Sequence, residues 1–197
     1  MHTSTMREPV SVSETTMRSP VEIGPLTSPD GGVVLADAYA TTKVQVRAGA
    51  STAAATFLGG SYGKSSRNAD GDLVCCTRPD EWTIYGAPGR SEAIAASVPT
   101  EGFVTVIDIT HGRAMLQIGG VTATAALSKI CNLDLSDELT PIAAVFCGSV
   151  GAVGCDWVRD DQHSQTSFLI SCEPVSYTHL RAHETRHDLV CRLLLEK

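Results

Sequence analysis

Two groups of residues have types and spacings that could do chemistry. The first is Asp108, His111 and Arg113, in the run Asp108-Ile-Thr-His111-Gly-Arg113. An acid and an imidazole so close could act as an acid/base pair. No Ser or Cys sits in a GxSxG elbow beside them. The same run also reads as a turn whose Asp accepts backbone N–H bonds. The second group is His179, His183, His187 and Cys191, which recur every fourth residue. On a helix they would share one face and could ligate zinc. Weaker signals fall away on inspection. Gly59–Ser65 nearly spells a phosphate-binding loop, but Leu58 stands where the pattern needs glycine, and the run follows a helical stretch. It reads as a flexible polar loop. Asp70-Gly71-Asp72 is too short for a calcium loop and reads as a turn. Cys75 and Cys76, neighbours in a strand, face opposite sides, so one belongs to the core and one to the surface. Asp134, Asp137 and Glu138 read as a solvated face, and Arg159–His163 as a charged hairpin tip.

The histidine stripe loses its standing when its surroundings are read. Val175–Thr185 and Leu189–Glu196 resemble a translated sequencing-library adapter and flow-cell primer, separated by room for an index at Arg186–Asp188. A scar of this kind carries no fold information. The 174–197 tail is therefore expected to be non-native, and His179, His183, His187 and Cys191 artefactual, leaving no metal site.

The full chain has 197 residues, 15 basic and 22 acidic, for a net charge of −7. Without residues 175–197 it has 11 basic and 19 acidic residues, a charge of −8, six cysteines and three histidines. An acidic chain lacks the basic face that nucleic acid requires. No apolar run approaches the ~18 residues of a membrane helix, and the start does not resemble a secretory signal. Cysteines without a signal or paired CxxC spacing point to reduced thiols and a cytoplasmic location. No GxGxxG marks a dinucleotide site.

Elements able to position these residues follow from periodicity. Residues 1–18 read as a disordered leader, with order starting near Arg18-Ser19-Pro20. Gly24–Gly32 is a loop. Strands are expected at Val33–Tyr39, Lys43–Ala48, Asp72–Cys76, Glu81–Tyr85, Phe103–Ile109, Arg113–Ile118, Ile142–Gly148, Cys155–Arg159 and Thr166–Cys172. Helices are expected at Ala50–Leu58, at Ser91–Val98 with Ser91 as N-cap, and at Val121–Leu133. Gly59–Gly71 is a polar loop. Alternation in Lys43–Ala48 and Arg113–Ile118 suggests one buried face and one partner face. Val44–Ala55 echoes Met115–Ala126: strand, small-residue turn, helix. Two βαββ-like halves would make an α+β domain over 19–173, with mainly antiparallel sheet.

Phe103–Leu135 carries a family resemblance: an acidic strand end (Asp108-Ile-Thr), a strand, a glycine turn, a helix and an Asp134-Leu exit. It resembles the folate-binding aminomethyltransferase superfamily, which includes the glycine-cleavage T-protein and the gamma subunit of heterotetrameric sarcosine oxidase. Arg18-Ser-Pro20, Asp80-Glu-Trp82 and Phe168–Glu173 resemble the gamma subunit more than the T-protein. The resemblance implies the aminomethyltransferase folate-binding fold, C-terminally truncated here, and an accessory, non-catalytic chain. Its complex would demethylate sarcosine to glycine with oxygen as electron acceptor and tetrahydrofolate as one-carbon acceptor. FAD, FMN, NAD and tetrahydrofolate would sit in the partner alpha and beta flavoprotein subunits, with a delta subunit as a further partner and no cofactor in this chain. Asp108, His111 and Arg113 would be folate- or partner-facing. Gly151–Asp156 places Gly and Cys where the T-protein carries an acidic pair, which argues against independent aminomethyl transfer. The alternative is a free-standing folate-binding protein or aminomethyltransferase-like enzyme.

Overall fold

The computed structural model describes residues 25–131, 133–151 and 153–174. The leader 1–18, the Arg18-Ser-Pro20 start and, but for Pro174, the 174–197 tail with its histidine stripe lie outside the described residues.

Two antiparallel sheets stack face to face. The first contains β3 (Thr42–Ala48), β4 (Ser65–Arg67), β5 (Leu73–Arg78), β6 (Glu81–Gly86) and β7 (Val104–Asp108), in the order β4-β5-β6-β3-β7. The second contains β1 (Leu26–Thr27), β2 (Val34–Asp37), β8 (Ala114–Gly119), β9 (Val145–Val150), β10 (Val153–Arg159) and β11 (Ser167–Cys172), in the order β1-β2-β8-β11-β10-β9. Helices α1 (Ala53–Leu58) and α2 (Ser91–Ser97) cover the outer face of the first sheet, burying Ala54, Leu58 and Ile94 against Val44, Val46 and Trp82. Helix α3 (Ala123–Leu127) covers the second, with Leu127 in one cluster with Trp157 and Phe168. A third cluster, with Leu73, Cys75, Met115 and Val158, lies between the sheets. Among the described residues the result is four layers, with the helices α1, α2 and α3 on the outer sides of the sheets.

The internal echo is real at the level of topology. Both β3-α1-β4-β5-β6 and β8-α3-β9-β10-β11 run strand, helix and three-strand meander, with the last strand pairing back onto the first. The halves are thus βαβββ. The extra strand of the first half, β4, lies inside Gly59–Gly71, which the sequence suggested was all loop. It is a short, mostly exposed edge strand, so no apolar alternation marks it. The echo is also displaced by one residue: Val44 packs under the helices, whereas Met115 packs between the sheets.

Other boundaries moved for local reasons. Gly24–Gly32 contains the two-residue β1, paired with β2 through a turn in which Asp30 accepts from Ser28 Oγ (2.5 Å) and Gly32 N (2.9 Å). Thr52 caps α1 by accepting the Ala55 N–H at 3.2 Å. Arg90, not Ser91, occupies the N-cap of α2, with no side-chain cap bond. The third helix is five residues rather than Val121–Leu133. Ser128 Oγ donates back to the Thr124 carbonyl at 2.7 Å, competing with helical continuation, and Ile130, Cys131 and Leu133 turn onto the sheet. Gly120, at φ 123°, passes so close to Gly32 that a Cβ would lie 2.3 Å from its carbonyl oxygen, so only glycine fits there.

Cys75 and Cys76 do face opposite sides, but neither is at the surface: they are 0% and 3% exposed. A sheet covered on both faces has no solvent side. For the same reason most of the polar face of β3 is covered, and Arg47 is its one exposed side chain. Lys43 and Gln45 point at the other sheet, and Lys43 is 0% exposed.

The chain passes between the sheets at 38–41 and again at 109–113. Lys43 Nζ donates to the carbonyls of Tyr39 (2.9 Å), Thr41 (2.8 Å) and Thr110 (3.3 Å), and so fastens both passages together. On the other side, the sheets are joined by backbone bonds from Ser65 N to Ala143 O (2.8 Å) and from Val145 N to Gly63 O (2.9 Å). Burial pushes the Lys43 ammonium down from 10.5 to about 8, against the pull of Asp37 and Asp108. The unfolded chain holds that proton up to the higher value, so between the two pH values the unfolded state binds more protons. The contribution of Lys43 to stability therefore grows as pH rises from about 8 to 10.5. Lys43→Met should cost about 2 kcal/mol near neutral pH, because three inward carbonyls lose their donor, and more within that alkaline window. Urea unfolding at both pH values measures it.

Candidate functional site

The layer between the sheets is apolar at one end and polar at the other. At the polar end is a cavity of about 280 Å³, lined among others by Lys43, Glu81, Arg113, Cys147, Asp156 and Ser171. Alternation along each strand sends these side chains inward. Lys43 and Glu81 come from the first sheet; Cys147, Asp156 and Ser171 come from β9, β10 and β11.

The charges answer one another. Arg113 pairs with Asp156, and its Nε and guanidinium N–H also donate to Ser171 Oγ at 3.3 Å and to the Ser171 carbonyl at 3.2 Å. The Cys147 thiol donates to Asp156 Oδ1 at 3.2 Å. Burial, then the neighbouring Asp156, pushes that thiol up, so it stays protonated and is a poor nucleophile. The buried Glu81 carboxylate accepts from Arg78 (2.6 Å), Arg47 (2.8 Å) and Thr77 Oγ1 (3.1 Å). A ligand entering here would have to break pairs that are already made. Among the described residues, no group of three or more His, Cys, Asp or Glu side chains could hold a metal ion.

The three residues that the sequence brought forward separate. Asp108 ends β7 and His111 lies in the exposed turn after it; Arg113 turns into the cavity. The Asp108 run is not a hairpin, because β7 and β8 belong to different sheets. Asp108 Oδ1 accepts the Thr110 N–H at 2.8 Å. Partial burial pulls its carboxyl up, but hydrogen bonds from Thr110 and Ser91 and the charge of His111 outweigh this and hold it below the usual range. The hairpin tip is Gln162–Gln165, with His163 and Ser164 both at positive φ (49° and 62°), the geometry of a tight two-residue turn. Arg159 is not on the tip. It is buried and donates to Asp137 (2.6 Å), the Thr140 carbonyl (2.6 Å) and Asp161 (3.1 Å). Asp134, Asp137 and Glu138 are exposed. The Gly59–Ser65 run opens β4 rather than a helix, which is the wrong context for a phosphate loop. Sequence reasoning passed over Glu81, Cys147 and Asp156, and only a partner sheet opposite them makes their positions special.

No family model and no curated protein matches the chain; solved structures do. A chain of heterotetrameric sarcosine oxidase from Corynebacterium sp. U-96, solved with pyrrole 2-carboxylate, superposes with a TM-score of 0.68 at 19% identity, over 84% of this chain and 87% of that one. This chain has the aminomethyltransferase-like α+β fold. The glycine cleavage system aminomethyltransferase T from Bartonella henselae agrees, with a TM-score of 0.61 at 14% identity over 79% of this chain. This chain spans only 46% of that enzyme. The resemblance read from Phe103–Leu135 therefore holds at the level of fold. Among the described residues no helix is long and apolar enough to cross a membrane.

Arg113→Ala should lower stability by about 1–2 kcal/mol, because it leaves Asp156 half-buried without its cation. Asp108→Ala at the exposed turn should cost much less. Paired denaturant midpoints test the contrast.

Proposed function

We propose that the chain is an accessory, gamma-like subunit of a cytoplasmic sarcosine oxidase-type complex. It packs against alpha and beta flavoprotein subunits and a delta subunit, and does no chemistry itself. Those partners would hold FAD, FMN, NAD and tetrahydrofolate, and would demethylate sarcosine to glycine, with oxygen taking the electrons and tetrahydrofolate the one-carbon unit. One observation carries the reading: near-complete mutual coverage with a chain of heterotetrameric sarcosine oxidase, against under half of the aminomethyltransferase. The cavity supports it. Its charges are already paired with one another, so a ligand would enter only by breaking those pairs. The exposure of Asp108 and His111, outside the cavity, supports a partner-facing role for them.

Co-expression with the alpha and beta subunits of a heterotetrameric sarcosine oxidase, affinity-tagged on this chain, tests the reading. A stoichiometric, flavin-yellow complex that survives gel filtration is the expected outcome. Elution of this chain alone, beside an assembled flavoprotein, would contradict it.

A further inference from the structure

We propose that Cys155 and Cys172 form a reversible disulfide across β10 and β11 when the protein meets a peroxide. The two strands run antiparallel with Asp156 opposite Ser171 and Arg159 opposite Phe168. One step further along this register, Cys155 stands directly opposite Cys172. The ladder also fixes what kind of pair they make. Asp160 N–H donates to the Ser167 carbonyl at 2.9 Å, so that opposed pair is hydrogen-bonded. Opposed pairs alternate, which makes Cys155–Cys172 a non-hydrogen-bonded pair, where Cα atoms lie about 4.5 Å apart and side chains are closest. That spacing lies within the ~4.4–6.8 Å that a disulfide spans. Both side chains lie in the same cluster, on the α3 side of the sheet. Vicinal Cys75 and Cys76 point to opposite faces and have no such geometry.

The Cys155 thiol donates to the Val153 carbonyl at 3.4 Å, which holds its proton in place. The neighbouring Cys155, then the Arg113 charge, lower the Cys172 thiol against the opposing effect of burial. Cys172, which ends β11 and carries no such donation to a carbonyl among the described residues, serves as the attacking sulfur and Cys155 as the resolving one. The Cys172 thiolate attacks a peroxide oxygen: an S–O bond forms, the O–O bond breaks, and hydroxide leaves to be protonated. The Cys155 sulfur then displaces the hydroxyl from the Cys172 sulfenic acid, and water departs with the Cys155 proton. Two thiols and one hydrogen peroxide give one disulfide and two waters. Each cysteine is 4% exposed, but Cys172 is the last residue of β11, where an opening strand end would admit a small oxidant.

The experiment treats the full chain with hydrogen peroxide, quenches it, alkylates it under denaturing conditions and maps the peptides by mass spectrometry. The expected result is a joined pair of peptides carrying Cys155 and Cys172, separated by dithiothreitol, with both thiols lost from alkylation together and an unchanged far-ultraviolet spectrum. In Cys155→Ser the sulfenic acid should persist on Cys172 and be trapped by dimedone. Full alkylation of both cysteines at a peroxide dose that fully oxidises free N-acetylcysteine in a parallel sample would overturn the proposal. So would a Cys172 linkage to any other cysteine.

Discussion

The structure depends on an ammonium group taken out of water. Lys43 sits where the chain crosses between two sheets twice, and its three donors meet main-chain carbonyls from both crossings. Carbonyls at a crossing have left one ladder and not yet entered the next, so they need another donor. Burying the charge is costly, as its lowered pKa shows. Leaving three acceptors bare inside the fold would also be costly. With the backbone bridge between β4 and β9 on the other side, the stacked sheets are fastened along both margins.

Doubling the sheet also explains which parts of the fold were legible in the sequence. Strand positions follow local alternation, and Lys43–Ala48, Glu81–Tyr85 and Thr166–Cys172 lie within a residue or so of the observed elements. Alternation says that two faces differ; it does not say what covers the polar one. In Lys43–Ala48 the polar positions read as a partner face, but Lys43 and Gln45 point at a second sheet and only Arg47 is exposed. Cys76 read as one side of a half-exposed pair, but it packs under α1 and α2. Non-local partners decide burial, and no window of sequence contains them. β4 and β1 escaped for a different reason: short edge strands have no apolar face to betray them.

The same limit governs the candidate site. Asp108, His111 and Arg113 are neighbours in sequence, so they stood out, yet the chain changes sheets between them. Arg113 turns inward to Asp156, which is distant in sequence, and Asp108 serves its own turn. Glu81, Cys147 and Asp156 had no local signal. Between the sheets, cation meets carboxylate and thiol meets carboxylate. The βαβββ repeat gives this economy a plain origin: each half supplies the body of one sheet, and the inward polar residues of each are paired within their own half, Glu81 with Arg47 and Arg78, Asp156 with Arg113 and Cys147.

The central claim is that this chain contributes surface and architecture, not a cofactor-binding cavity of its own. Titration calorimetry of the isolated, folded chain with tetrahydrofolate tests it most directly. The account predicts no saturable heat, with the same thermal unfolding midpoint with and without the ligand. Stoichiometric binding that raises the midpoint, and that is weakened by Asp108→Ala, would contradict it and establish the chain as a folate-binding protein in its own right.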